Sequence, residues 1–111
     1  MPSEVNAIRV NVNAAPAALG EKTYAALLSH GTMELGYYAP RGVDRQTPHD
    51  KDELYIILSG RGWFRSGDAR SEFEPGDVLF AQAGVVHRFE NFSDDFATWV
   101  IFWGPSGGES G

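Results

Sequence analysis

From Thr32 onward the chain alternates apolar and polar residues in short runs. Met33, Leu35 and Tyr37 alternate with Glu34, Gly36 and Tyr38, a period of two that marks a strand ending at Pro40. A polar loop, Arg41 to Pro48, leads to the apolar run Leu54 to Leu58, which Ser59-Gly60 terminates. The pattern then predicts strands over Glu53–Ser59, Gly62–Ser66, Arg70–Phe73, Asp77–Ala81, His87–Asn91 and Phe96–Trp103. Ser66-Gly67-Asp68, Pro75-Gly76, Ala83-Gly84 and Ser93-Asp94-Asp95 supply the turns between them. Ahead of Thr32, Val5 to Val12 alternates as an edge strand or a dimer arm would. Asn13 to Gly20 reads as a loop with one helical turn; in Glu21 to Ser29, Tyr24, Leu27 and Leu28 fit a helical face while the following Gly-Thr points to a hairpin, and of the two a strand is favoured. Many short strands with little helix predict an all-β fold, a sandwich or barrel with antiparallel jelly-roll topology.

The same alternation assigns faces. Glu53, Tyr55 and Ile57 share one side of their strand and Leu54, Ile56 and Leu58 the other, so both sides are largely apolar and both need cover. His87, Phe89 and Asn91 are expected on one side of theirs, with Arg88 and Glu90 opposite. In the last strand Trp99, Ile101 and Trp103 stand against Thr98, Val100 and Phe102.

Composition narrows the setting. At 111 residues the chain is long enough for one domain that removes roughly two thirds of its unfolded surface from water. It has no cysteine, which excludes disulfides and thiolate chemistry and fits a reducing cytoplasm. No apolar run approaches the ~20 residues of a membrane-spanning helix, and Met1-Pro-Ser-Glu lacks the layout of a signal peptide; a soluble cytoplasmic protein is expected. A formal charge of −6 disfavours nucleic acid and acidic membranes as partners. The last eight residues, Gly104 to Gly111, read as a flexible polar tail.

Three side chains suit a divalent ion: His49, Glu53 and His87. Two imidazoles with one carboxylate form a donor set used by non-haem iron and similar ions, with coordination positions left open. Each has an ordinary alternative. Glu53 is equally a strand-entry carboxylate paired with Arg41, Arg45 or Lys51, and His87 a packed core histidine beside Phe89. Gln46 is a loop residue able to turn inward with an amide oxygen. His30 is a lone histidine before a turn, and Asp50 and Asp52 keep the loop solvated, with Asp50 near enough to support a ligand.

Spacing around these residues resembles the two motifs of the cupin superfamily in its small single-domain form. His49 matches the second histidine of the first motif, Glu53 follows after three residues, and Gly60 after six more. Gly76, Gly84, His87 and Asn91 match the second motif, with Gln82 in place of its proline. The first motif's other histidine falls on Thr47, a poor ligand beside imidazole and carboxylate. The resemblance implies a double-stranded β-helix, the cupin jelly-roll barrel, spanning about residues 32–103 of a single domain (1–103) with an N-terminal arm of about residues 1–31. It implies a mononuclear divalent ion, Fe, Mn, Ni or Zn, on His49, Glu53 and His87, and a homodimer joined through the outer strand face and the arm. The pocket walls are expected from Gln46, Thr47, Tyr37, Tyr55, Phe89, Trp99 and Phe102, around a small organic ligand with metal-binding oxygens.

Three functional classes follow: a metal-dependent enzyme such as an oxygenase or isomerase, a non-catalytic small-molecule binding or sensing module, and a metal-free dimeric scaffold. The sequence displays no separate acid or base, which counts against the first.

Overall fold

The computed structural model describes residues 8–110. A short helix, α1 (Ala15–Leu19), precedes eight strands: β1 (Tyr24–His30), β2 (Met33–Tyr38), β3 (Asp52–Ser59), β4 (Gly62–Ser66), β5 (Ala69–Phe73), β6 (Val78–Ala81), β7 (His87–Glu90) and β8 (Ala97–Trp103). The six strands expected from Glu53 onward form within two residues of their expected ends. The helical turn and the strand before Thr32 also form. Val5 to Ala7 lie outside the described residues, and the rest of the expected edge strand, Ile8 to Val12, is not a strand.

The strands make two antiparallel sheets, one of five strands in the order β1-β2-β8-β3-β6 and one of three in the order β5-β4-β7. This is the jelly-roll barrel, an all-β fold. Tyr24–His30, expected within an N-terminal arm, pairs with β2 along its length and forms an edge of the larger sheet. Among the described residues no helix is long and apolar enough to cross a membrane.

The strand faces follow the alternation. Glu53, Tyr55 and Ile57 are buried, whereas Leu54, Ile56 and Leu58 are half-buried on the opposite side. Between the sheets Tyr55, Phe64, Phe73, Phe89 and Phe96 form an aromatic core with Ile57, Ala81 and Val100. Neighbouring rings stand 4.6–5.6 Å apart and many meet edge to face, the arrangement that sets ring edges against ring faces. A second cluster lies outside the larger sheet, where Ala15 and Leu19 of α1 cover Tyr37, Ala97, Leu58 and Trp99. Pro16 starts this helix, where its missing N–H costs nothing, and Gly20 ends it.

Two expectations need correction. Asn91 does not continue the inward face of β7: the strand ends at Glu90, and Asn91 is exposed in the left-handed region at φ 50°, where an Asn is tolerated as the chain turns away. The C-terminal segment is not a free tail. Gly104 N–H donates to Thr32 Oγ1 (3.0 Å), Ser106 Oγ to Asp50 Oδ2 (2.7 Å), Gly107 N–H to the Asp50 carbonyl (2.6 Å) and Glu109 N–H to Asp52 Oδ2 (3.0 Å). Small side chains let its backbone lie close enough to satisfy these groups, a role that composition alone does not reveal.

Candidate metal centre and cavity

Glu53 enters the barrel from the second position of β3, His49 from the segment just before it, and His87 from the first position of β7 in the other sheet. Two backbone links hold these segments together. Gly84 N–H donates to the His49 carbonyl (2.8 Å), and Ala83 N–H donates to Asp52 Oδ1 (2.9 Å). Asp52 is therefore a buried clamp between the turn that precedes His87 and the C-terminal segment, and not a solvated loop residue. Its two backbone donors, Glu109 first and Ala83 second, hold its carboxyl below the usual range.

One ligand atom from each of His49, Glu53 and His87 lies within 4.8 Å of the others. Glu53 Oε2 is 2.9 Å from His87 Nε2 and 3.9 Å from His49 Nε2. Glu53 is 1% exposed and His87 2%. His87 Nδ1 lies 2.9 Å from the Val85 carbonyl, which can only accept, so Nδ1 carries the proton and Nε2 of the neutral ring presents its lone pair to the centre. Burial disfavours the His87 imidazolium, but Glu53 and the Val85 carbonyl favour it more, and its pKa lies above the usual histidine value.

Both Glu53 oxygens and His87 Nε2 are buried without an aligned hydrogen-bond partner; the 2.9 Å approach is close but poorly directed. No described Lys or Arg pairs with Glu53. A buried carboxylate in that state is costly, and a cation between it and the two imidazoles removes the cost. The donor set, two nitrogens and one oxygen, fits a divalent first-row ion.

Beside this centre lies a cavity of about 340 Å³, lined by Tyr24, Glu34, Tyr38, Gln46, His49, Glu53, Tyr55, Val100 and Phe102. Gln46 turns inward while Thr47 is exposed on the loop. The buried Asp44, 1% exposed, fixes that orientation. It accepts hydrogen bonds from the Tyr38 hydroxyl, from Gln46 N–H (3.1 Å) and Nε2 (2.7 Å), and from Phe89 N–H (2.8 Å). With its amide nitrogen held, Gln46 offers Oε1 to the Tyr55 hydroxyl (3.1 Å).

Tyr55 and Phe102 stand in the cavity wall, Phe102 with its ring edge-on to His49 at 5.1 Å. Tyr37 and Trp99 lie on the other face of the sheet under α1, and Phe89 is core behind the cavity. His30 is exposed at the end of β1, and Asp50 is exposed and holds the C-terminal segment. Composition and motif spacing do not single out Tyr24, Glu34, Tyr38 or Asp44. For Glu34 and Tyr38 the one signal is the alternation in β2, which separates them from Leu35 and Tyr37 but does not say which side faces inward.

Comparison with known proteins agrees with this architecture. The model of the family described as "Cupin domain" matches residues 34–103. An uncharacterized protein of Streptomyces coelicolor is 32% identical over 103 residues, covering 91% of this chain and 98% of that protein. An acireductone dioxygenase of Leishmania braziliensis is 34% identical over 83 residues, 70% of this chain but only 21% of that enzyme. The MmsAB operon regulatory protein of Pseudomonas aeruginosa is 32% identical over 103 residues, 86% of this chain and 33% of that protein. Among solved structures, a Cupin 2 conserved barrel domain protein from Salinispora arenicola superposes with a TM-score of 0.68 at 24% identity, covering 89% of this chain and 91% of the other, and shows the shared fold. With its jelly-roll barrel and a family match over most of its length, this chain belongs to the cupin superfamily as a small cupin domain.

Proposed function

We propose that this protein is a metal-binding cupin in which His49, Glu53 and His87 hold one divalent ion, Fe, Mn, Ni or Zn, beside a cavity for a small oxygen-bearing organic compound. The observation that carries this reading is the buried Glu53 and His87, whose unpartnered atoms converge with the His49 ring. When bound, the ion supplies Lewis acidity toward a carbonyl or enolate oxygen, and redox capacity where it is Fe or Mn. Gln46, locked by Asp44, presents a fixed amide to the ligand, and Phe102, Val100 and Tyr55 exclude water from it. The cavity volume lies at the lower end of the range for small-molecule sites. Similarity to acireductone dioxygenases supports an oxygenase or related reaction on such a compound.

The test is the metal content of protein purified without a histidine tag. Near-stoichiometric metal in the wild type, lost in the His49→Ala/His87→Ala double variant, is expected; metal-free wild type that also takes up none of the four ions on dialysis overturns the reading.

Similarity to a regulatory protein supports a second reading, a sensing module with the same ligand site and no turnover. The two part on one result: an enzyme consumes its ligand when loaded with metal, whereas a sensor returns it unchanged.

The outer face of the five-stranded sheet is assigned to a second copy of the chain. There Leu54 stands between Ile101 and Phe80, and Ile56 between Trp99 and Val78, giving two apolar rows across three strands. Val78 is 58% and Phe80 52% exposed, a combination that favours burial against another apolar face.

A further inference from the structure

Glu34 and Tyr24 form a polar pair in the cavity wall that the metal centre does not use. The Tyr24 hydroxyl donates to Glu34 Oε2 at 2.6 Å. Tyr24 lies on β1 and reaches Glu34 by crossing β2 over Gly36: a Cβ at Gly36 would collide with the Tyr24 ring and hydroxyl. The ring also stands edge-on to Phe102 at 6.3 Å. No described Lys or Arg pairs with Glu34, and Tyr24 is the side-chain donor that reaches it.

The strand register sets this pair relative to the metal centre. Glu34 is opposite Phe102, and Phe102 is opposite Glu53, so the three residues form one row across β2, β8 and β3. At ~4.8 Å per strand the backbones of Glu34 and Glu53 are about 10 Å apart. Phe102 stands between them in the row, and all three line the same cavity of about 340 Å³, which has room for a molecule of a few heavy atoms.

We infer that Glu34 is the proton-accepting group of this cavity, held by Tyr24, and that it acts on a small uncharged ligand carrying a hydroxyl next to a carbonyl, an α-hydroxy ketone. The inference rests on the metal-site reading proposed above. An ion held by His49, Glu53 and His87 would supply Lewis acidity to the carbonyl oxygen, and the bond from the carbon next to the carbonyl to its hydrogen breaks. Its electron pair moves into a carbon–carbon double bond, the carbonyl oxygen takes the negative charge, and the proton passes to Glu34 Oε1 while Tyr24 keeps its hydrogen on Oε2. Return of the proton after exchange with solvent restores the ketone, so no oxidant or reductant is consumed. The same carboxylate repels an anionic ligand, which sets the cavity's selectivity for uncharged compounds.

Two measurements on the full chain loaded with Ni(II) test this. With hydroxyacetone in heavy water, proton NMR is expected to show metal-dependent deuterium incorporation next to the carbonyl. Glu34→Gln slows it by on the order of 100-fold with metal content and melting temperature unchanged. Tyr24→Phe keeps the fold and slows exchange less, by raising the mobility of Glu34. Independently of any turnover, calorimetry with oxalate should show about tenfold tighter binding in Glu34→Gln, because one negative charge facing the ligand is gone. Absence of exchange in the Ni(II)-loaded wild type, or unchanged exchange or oxalate affinity in Glu34→Gln, overturns the assignment of Glu34 and leaves the metal site standing. Uptake of none of Fe, Mn, Ni and Zn by the wild type instead overturns the metal-site reading and the assignment with it; where an ion other than Ni(II) is the one taken up, both measurements are made with that ion.

Discussion

At the scale of single residues, Glu53 shows most directly how the site is set against stability. It is buried beside His87 with neither oxygen in an aligned hydrogen bond, so without a cation a carboxylate there is poorly compensated. Glu53→Gln removes that charge at nearly constant volume. The variant is expected to be more stable than the metal-free wild type by about 1–3 kcal/mol in urea unfolding while losing metal uptake. Equal or lower stability would show that the carboxylate is already satisfied. The tyrosines around the cavity make a second prediction. Burial raises the pKa of Tyr24, Tyr38 and Tyr55, and the carboxylates Glu34, Asp44 and Glu53 beside them raise it further. In the unfolded chain these phenols ionise near pH 10. Below that pH both states keep the protons and the stabilisation is complete. Above it the unfolded state releases protons that the folded state retains, so stability falls as pH rises. Melting temperature is expected to drop above about pH 10, with tyrosinate absorbance from these three appearing together with unfolding. Their ionisation in the still-folded protein would contradict this.

At the scale of elements, the joints are as specific as the strands. Gly60 lies between β3 and β4 at φ 86°, and a Cβ there would stand 2.5 Å from the Phe96 Cα. A side chain therefore meets both a disfavoured backbone conformation and a backbone atom that cannot yield without moving the start of β8. Gly60→Ala is expected to cost about 3 kcal/mol in chemical unfolding, and a loss under about 1 kcal/mol would show that this joint relaxes. Gly60 was legible in the sequence as a turn former and a motif position, but the approach of Phe96 was not, because the contact spans 36 residues. The C-terminal segment illustrates the same limit. Its composition indicates flexibility, whereas the fold supplies Asp50, Asp52 and Thr32 as partners for its backbone and side chains.

At the scale of the whole molecule, the two faces of the larger sheet divide the work. The inner face carries the cavity; the outer face is covered by α1 at one end and exposes Val78 and Phe80 at the other. If that exposed end meets a second copy, Phe80→Lys places a charge in each half of a symmetric interface. Light scattering coupled to size exclusion is expected to report a dimer for the wild type and a monomer for the variant; a monomeric wild type refutes the interface.

The sequence by itself determined the strands, their two faces and the three residues of the candidate metal centre, because periodicity, turn chemistry and motif spacing are local properties that survive without knowledge of neighbours. It also placed Glu53, Tyr55, Ile57, His87 and Phe89 on buried sides of their strands. Only the tertiary structure decided which side of β2 and β8 faces the cavity, sending Phe102 and Tyr38 into the wall and Trp99 and Tyr37 beneath α1. It alone brought Glu34 and Tyr24 together and set Glu34 in line with Glu53. Those relations depend on which strands pair and in what register, and pairing is fixed by packing between distant parts of the chain.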